Sequence, residues 1–157
     1  MKRKLFSSFV LVAVATASFC LTTIAQSRSE IEVFDLVNRE RSRAHLAGLS
    51  WDDRLANLAR NYSRQMAREG FFDHYDPEGR TVVDRARAER IRNWSSIGEN
   101  LFVCDDHPYF ATTAVRGWMK SQTHRTNILE RSWTATGIGV ATARDGSIFI
   151  TQVFIHQ

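Results

Sequence analysis

Apolar positions along this chain keep a helical period over most of its length and change to the period of strands in the C-terminal part, and these patterns mark its elements. After an almost uncharged stretch from Leu5 to Ile24, Ile31, Phe34 and Val37, with Asn38, fall on one helical face. Ser29 and Glu32 have the Ser-x-x-Glu form of a capping box. Together they predict a helix from about Glu30 to Leu46, ended by Gly48. Leu55, Leu58, Ala59, Tyr62 and Met66 recur at spacings of three and four, which predicts a second helix from Asp52 or Asp53 to Gly70. Its other side carries Arg54, Asn57, Arg60, Arg64 and Arg68.

Phe71 to Gly79 reads as a loop closed by Asp76-Pro77-Glu78-Gly79, and Thr81 with Asp84 starts a short helix to about Arg90. Asp106 as N-cap and Pro108 in the first turn predict another, with Ala111, Ala114, Val115 and Trp118 inward and an end near Lys120 to Gln122. The period then drops to that of strands over Ile138 to Ala143 and Ile148 to Ile155, joined through Asp145-Gly146, the signature of a hairpin. A third strand lies near Gly98 to Val103. Helices followed by a late hairpin predict an α+β domain with helices packed on an antiparallel sheet.

The opening residues alter the reading of charge. Met1-Lys2-Arg3-Lys4 followed by apolar sequence is the layout of a secretory signal peptide, with Thr23 and Ala25 at the small-residue cleavage positions. The expected division is residues 1–25 as signal peptide and 26–157 as one domain, and so an extracytoplasmic protein with no stable membrane span after cleavage. A retained anchor is the competing reading. A lipoprotein signal at Cys20 fits less well, because Phe19 stands where a small residue is expected.

Lys2, Arg3 and Lys4 supply three of the four net positive charges, so the remainder is near neutral and no nucleic-acid partner is expected. Arg85, Arg87, Arg90 and Arg92, interleaved with Asp84 and Glu89, read as a solvated helix face. Beyond the leader Cys104 is the one cysteine, which leaves no internal disulfide and a thiol that is either buried or paired with another chain.

Three separated stretches carry the candidate chemistry: Phe71-Phe72-Asp73-His74, Gly98-Glu99-Asn100, and Trp118 to Arg125. Each has a structural and a functional reading. His74 is a hydrogen-bonded loop residue or a ligand, and Glu99 a backbone acceptor or a working carboxylate. His124 is an imidazole held at a helix end or a ligand. Arg125 reads first as a salt bridge fixing the loop after the Trp118 helix and second as a ligand-facing guanidinium, and Asn100 and Asn127 read as loop-fixing hydrogen bonders. Trp51, Trp94, Trp118 and Trp133 read as core or rim, and His45, His107 and His156 as surface residues. With no His-x-x-x-His or Cys-x-x-Cys, spacing gives no direct support for zinc.

Five segments in order add what spacing cannot. Phe72-Asp73-His74-Tyr75-Asp76-Pro77-Glu78-Gly79, Gly98-Glu99-Asn100-Leu101, Trp118 through Leu129, Gly137-Ile138-Gly139-Val140 and Thr151-Gln152-Val153-Phe154 resemble the CAP superfamily. That superfamily comprises cysteine-rich secretory proteins, venom antigens, pathogenesis-related plant proteins and many exported bacterial members. The resemblance implies a three-layer α-β-α sandwich with a small central antiparallel sheet and an open cavity. By carry-over, His74 and His124 would hold a divalent metal such as zinc, with Glu99 the adjacent carboxylate and Asn100 and Ser121 lining the cavity. Eukaryotic members usually have Trp-x-x-Glu where this chain has Trp118-Met119-Lys120-Ser121, so a second carboxylate is missing and the chain resembles the bacterial branch.

Three functions follow as expectations. The first is a secreted binding or signalling module whose partner is a metal, a small ligand, a peptide or a cell-envelope component. The second is a hydrolase, with water on a metal at His74 and His124 and Glu99 as catalytic base, or with a Ser121–His124 nucleophile pair. The third is an adhesion domain in which His74, Glu99 and His124 form a core cluster without ligand.

Overall fold

A computed structural model describes residues 27–157, and the proposed signal peptide lies outside the described residues. Ser27 caps helix α1 (Arg28–Arg43): its hydroxyl accepts from Glu30 N–H, and the Glu30 carboxylate accepts from Ser27 N–H. The capping box therefore sits two residues before the predicted Ser29 and Glu32. Its acid is also 2 % exposed and gives both oxygens to Arg60 at 2.8 and 2.7 Å, so the same carboxylate starts α1 and ties it to the next helix. At the far end Arg41, fully buried, donates to the carbonyls of Ala47, Ile128 and Glu130, and α1 stops before the expected Leu46.

A short strand β1 (Ser50–Trp51) precedes helix α2 (Asp53–Glu69), which is capped by Asp52 and closed by Gly70 in the left-handed conformation at φ 71°. Helix α3 (Val82–Ala88), strand β2 (Ser96–Cys104), helix α4 (Phe110–Lys120) and helix α5 (Gln122–Leu129) follow. Strands β3 (Ala135–Thr142) and β4 (Ile148–His156) close the chain as the predicted hairpin, with Gly146 at φ 91° in the turn. Helix α4 starts later than predicted, at Phe110 after an N-cap, Tyr109, that makes no side-chain cap bond, while Asp106 and Pro108 stay outside it.

Helix α5 was not expected, because its face has one buried residue, Ile128, and no apolar period announces it. It places His124 in the first turn of a helix, where the pattern had put it beyond the last.

The sheet order is β1-β3-β4-β2, antiparallel except that β1 runs parallel to β3, so the small sheet is mixed. Its central strand, β4, is buried on both faces from Ile148 to Ile155. Ile148, Ile150 and Phe154 pack with Val33 and Val37 of α1 and Ala114, Val115 and Trp118 of α4. Val153 and Ile155 face Leu55, Leu58 and Ala59 of α2, and Phe149 meets Tyr62 and Met66. Helices thus cover both faces, as the three-layer expectation required.

The α2 layer lies unusually close to β3. A Cβ on Gly137 would come 2.1 Å from Ala56 N, and one on Gly139 2.1 Å from Arg60 N, so only hydrogen fits between strand and helix backbone.

Candidate functional site: a cavity at the open edge of the sheet

Strand β2 is an edge strand, and its free side borders the site. Alternation sends Glu99, Leu101 and Val103 toward the α2 and α3 layer, and Asn100 and Phe102 toward α4 and α5. Glu99 is fixed from two directions. Arg85 Nη2 donates to its Oε2 at 2.6 Å, and His74 Nδ1 lies 2.9 Å from its Oε1. The glutamate side chain is 3 % exposed and the arginine 7 %, whereas His74 is 51 % exposed. Glu99 is thus a buried anchor under a solvent-facing imidazole.

Arg85 organises the loop that carries His74. Its Nη1 donates to the carbonyls of His74 and Arg80 at 3.1 and 2.8 Å, and its guanidinium lies 3.4 Å over the Tyr62 ring. Tyr62 in turn donates to Asp73 O at 2.5 Å. Asp76, 4 % exposed, accepts from Glu78 N–H, Arg80 N–H and Arg80 Nε, which holds the loop's turn shut. The expected solvated arginine face is therefore corrected at Arg85. A signal for this was present: Arg85 lies three residues after Val82 and directly before Ala86, on the inward stripe of α3.

Across the strand, Asn100 is fully buried. Its Nδ2 donates to His124 O at 3.1 Å, while Asn127 Nδ2 donates to Asn100 Oδ1 and to Glu99 O. Both asparagines fix backbone; Asn100 does so from within β2 and is not among the residues lining the cavity, where it was expected. Trp118 Nε1 donates to Leu101 O at 2.8 Å, and Trp133 Nε1 to Asn127 O at 2.8 Å. Trp118 is core, and Trp133 stacks on Phe154.

These contacts leave a cavity of about 620 Å³ lined by Phe72, Asp73, His74, Leu101, Phe102, Val103, Gly117, Trp118, Ser121 and His124. Its size is within the ordinary range for ligand sites. His74 and His124, fifty positions apart, both line this cavity. The Glu99 hydrogen bond, aided by the glutamate's charge, raises the His74 pKa against the opposing effect of burial. Burial first, and then the His74 charge, lowers that of His124. The two imidazoles are thus driven apart in proton affinity.

Ser121 separates α4 from α5 in an extended conformation and has no hydrogen bond to His124. Arg125 is exposed and makes no ion pair among the described residues, so the salt bridge expected of it is absent there. Among the other histidines, His45 is exposed, while His107 and His156 are half-buried; His107 Nδ1 accepts from Tyr109 N–H. Among the described residues no group of three or more His, Cys, Asp or Glu side chains is arranged to hold a metal ion.

A helix-sheet-helix sandwich with a cavity at the sheet edge that two histidines line, one of them held by a buried glutamate, defines the class of domain. The profile of the Cysteine-rich secretory protein family, CAP, matches residues 34–154, and the chain belongs to that family. It is 34% identical over 149 residues to the uncharacterized protein YkwD of Bacillus subtilis (strain 168), covering 92% of this chain and 55% of that one. An extracellular protein of Bacillus anthracis containing an SCP domain has the same fold at TM-score 0.70 and 32% identity, covering 82% of this chain and 40% of the other. NaASP2 with Zn2+ shares the fold at TM-score 0.59 and 14% identity, covering 82% of this chain and 80% of that one. The chain therefore spans about half the length of the Bacillus relatives it matches.

Proposed function

We propose that this chain is an extracytoplasmic binding module whose edge cavity takes a ligand, with a divalent metal such as zinc among its occupants. The carrying observation is the pair of imidazoles lining one cavity, His74 and His124, the first braced at Nδ1 by the buried Glu99. A carboxylate at the far nitrogen orients a ligating imidazole and raises its basicity. His74 Nε2 and the His124 ring would hold the metal, and the remaining positions would go to water, which makes a labile site. The crystallisation of NaASP2 with Zn2+ supports a fold that accommodates this ion. When bound, the metal would polarise an oxygen-bearing ligand.

The donor set fits a weak site better than a catalytic one. A hydrolase needs Glu99 as base, yet both of its oxygens are already engaged, one by Arg85 and one by His74. The extracellular character of the Bacillus anthracis protein supports export, as does the leader pattern at residues 2–25.

Calorimetric titration of zinc into the metal-stripped protein at neutral pH tests the reading. Saturable micromolar binding is expected, lost in the His74→Ala, His124→Ala double variant. Heat that is unsaturable, or unchanged in the double variant, removes the metal from the proposal.

A further inference from the structure

The free edge of β2 enters the cavity with unused main-chain groups. Thr134 and Thr136 turn their carbonyls toward the β1 segment, accepting from Ser50 N–H and Asp52 N–H, so the alternate residues of β3 bond β4. Carrying the alternation across β4, Gly98, Asn100, Phe102 and Cys104 exchange hydrogen bonds with β4, and Glu99, Leu101 and Val103 point theirs outward. Two side chains confirm the direction: Asn127 caps Glu99 O and Trp118 caps Leu101 O.

Three outward groups beside the cavity are left: Leu101 N–H, Val103 N–H and Val103 C=O have no partner among the described residues. Their spacing is that of one antiparallel strand. A residue opposite Val103 would exchange two bonds with it, and the carbonyl two residues along would accept from Leu101 N–H, that residue's own N–H sharing the Leu101 carbonyl with Trp118 Nε1.

The walls on either side match the alternating side chains of such a strand. One side presents Phe72 and His74, and the other Phe102, Trp118 and His124. Phe72 is 48 % exposed, an apolar ring left open at the mouth. Neither a lipid tail nor a bare ion has donors and acceptors at this repeat, whereas a peptide backbone has both.

We infer that the cavity takes an extended peptide segment with apolar side chains, added as a fifth strand along Leu101–Val103 and lying between His74 and His124. The inference rests on the reading of the cavity as a ligand site, and it names the ligand's class.

The test uses an equimolar pool of N-acetylated, C-amidated pentapeptides with Val, Leu or Phe at the three central positions, added to the metal-free full chain. The expected result is a downfield shift and at least tenfold slower hydrogen exchange of the Leu101 and Val103 amides. The same peptides N-methylated at the central amides should bind at least tenfold more weakly, since their apolar surface is kept and their donors are lost. Val103→Pro, which removes an outward N–H from an edge strand, should weaken binding comparably with its thermal unfolding still cooperative.

Amide exchange that is unchanged up to the solubility limit, or N-methylated peptides that bind within twofold of the parents, overturns the strand addition. Shifts of the Trp118 indole N–H without any at Leu101 or Val103 would overturn it while leaving the cavity reading intact; no shift at any cavity residue would remove both.

Discussion

At the residue scale the site is governed by Glu99, whose two oxygens hold a cation on one side and an imidazole on the other. Replacing Glu99 with Gln keeps its shape but leaves Arg85, 7 % exposed, without its counter-charge. Breaking a buried pair from one side costs about 3 kcal/mol, so urea unfolding of Glu99→Gln should show a loss of that size. The same change should bring the His74 titration, followed by its ring-proton signals, down toward the ordinary histidine value.

In the parent, His74 should titrate above 6.5 and His124 below it. Because the folded pKa of His74 is raised, its stabilising contribution is complete below the unfolded pKa and is lost as pH rises through the folded value. The destabilisation by His74→Ala should therefore be larger at about pH 5.5 than at about pH 8.5 in denaturant melts of the metal-free protein. An equal loss at both would refute the ion pair.

At the scale of elements, backbone proximity carries the fold where side chains carry the site. Helix α2 rests on β3 through Gly137 and Gly139, and a methyl at Gly139 would overlap the backbone of Arg60. Neither backbone can yield without moving a whole element. Gly139→Ala should accordingly cost about 3 kcal/mol or more, the upper range for overpacking, read as a fall in the unfolding midpoint. The predicted helices and strands rest on period and turn chemistry, which are local, and the α2 stripe and the β3–β4 turn survive in the structure while the Ser29 and Asp106 caps do not. Helix α5 was illegible because it is anchored by Arg41 on the Ile128 and Glu130 carbonyls and by Asn100 on His124 O, all contacts from distant parts of the chain. The displaced capping box has a similar origin: two Ser-x-x-Glu frames overlap, and Arg60 selects the one whose acid it can pair.

For the whole molecule, we place the closure of the domain at the start of α1, where Glu30 pairs with Arg60 of α2. A chain beginning at Gln26 retains the Ser27 cap and the Glu30–Arg60 pair, and should unfold in one cooperative transition with the stability of the full chain. One beginning at Ile31 leaves Arg60 buried and unpaired, and should lose about 3 kcal/mol or more in the same melt. A graded loss without the step at Glu30 would place the closure elsewhere.

By itself the sequence determined the α+β class, the ends of α2, the β3–β4 hairpin and, through its resemblance to a family, the histidines and glutamate to be watched. Periodicity and turn residues act over a few positions, so a single chain displays them. Tertiary structure decided what those residues do: that Arg85 turns inward to hold Glu99, that Asn100 is buried and holds the His124 carbonyl, and that β2 keeps an edge beside His74 and His124. Each depends on which groups remain unpaired once three layers have closed, a property of the assembled fold that no local stretch of sequence contains.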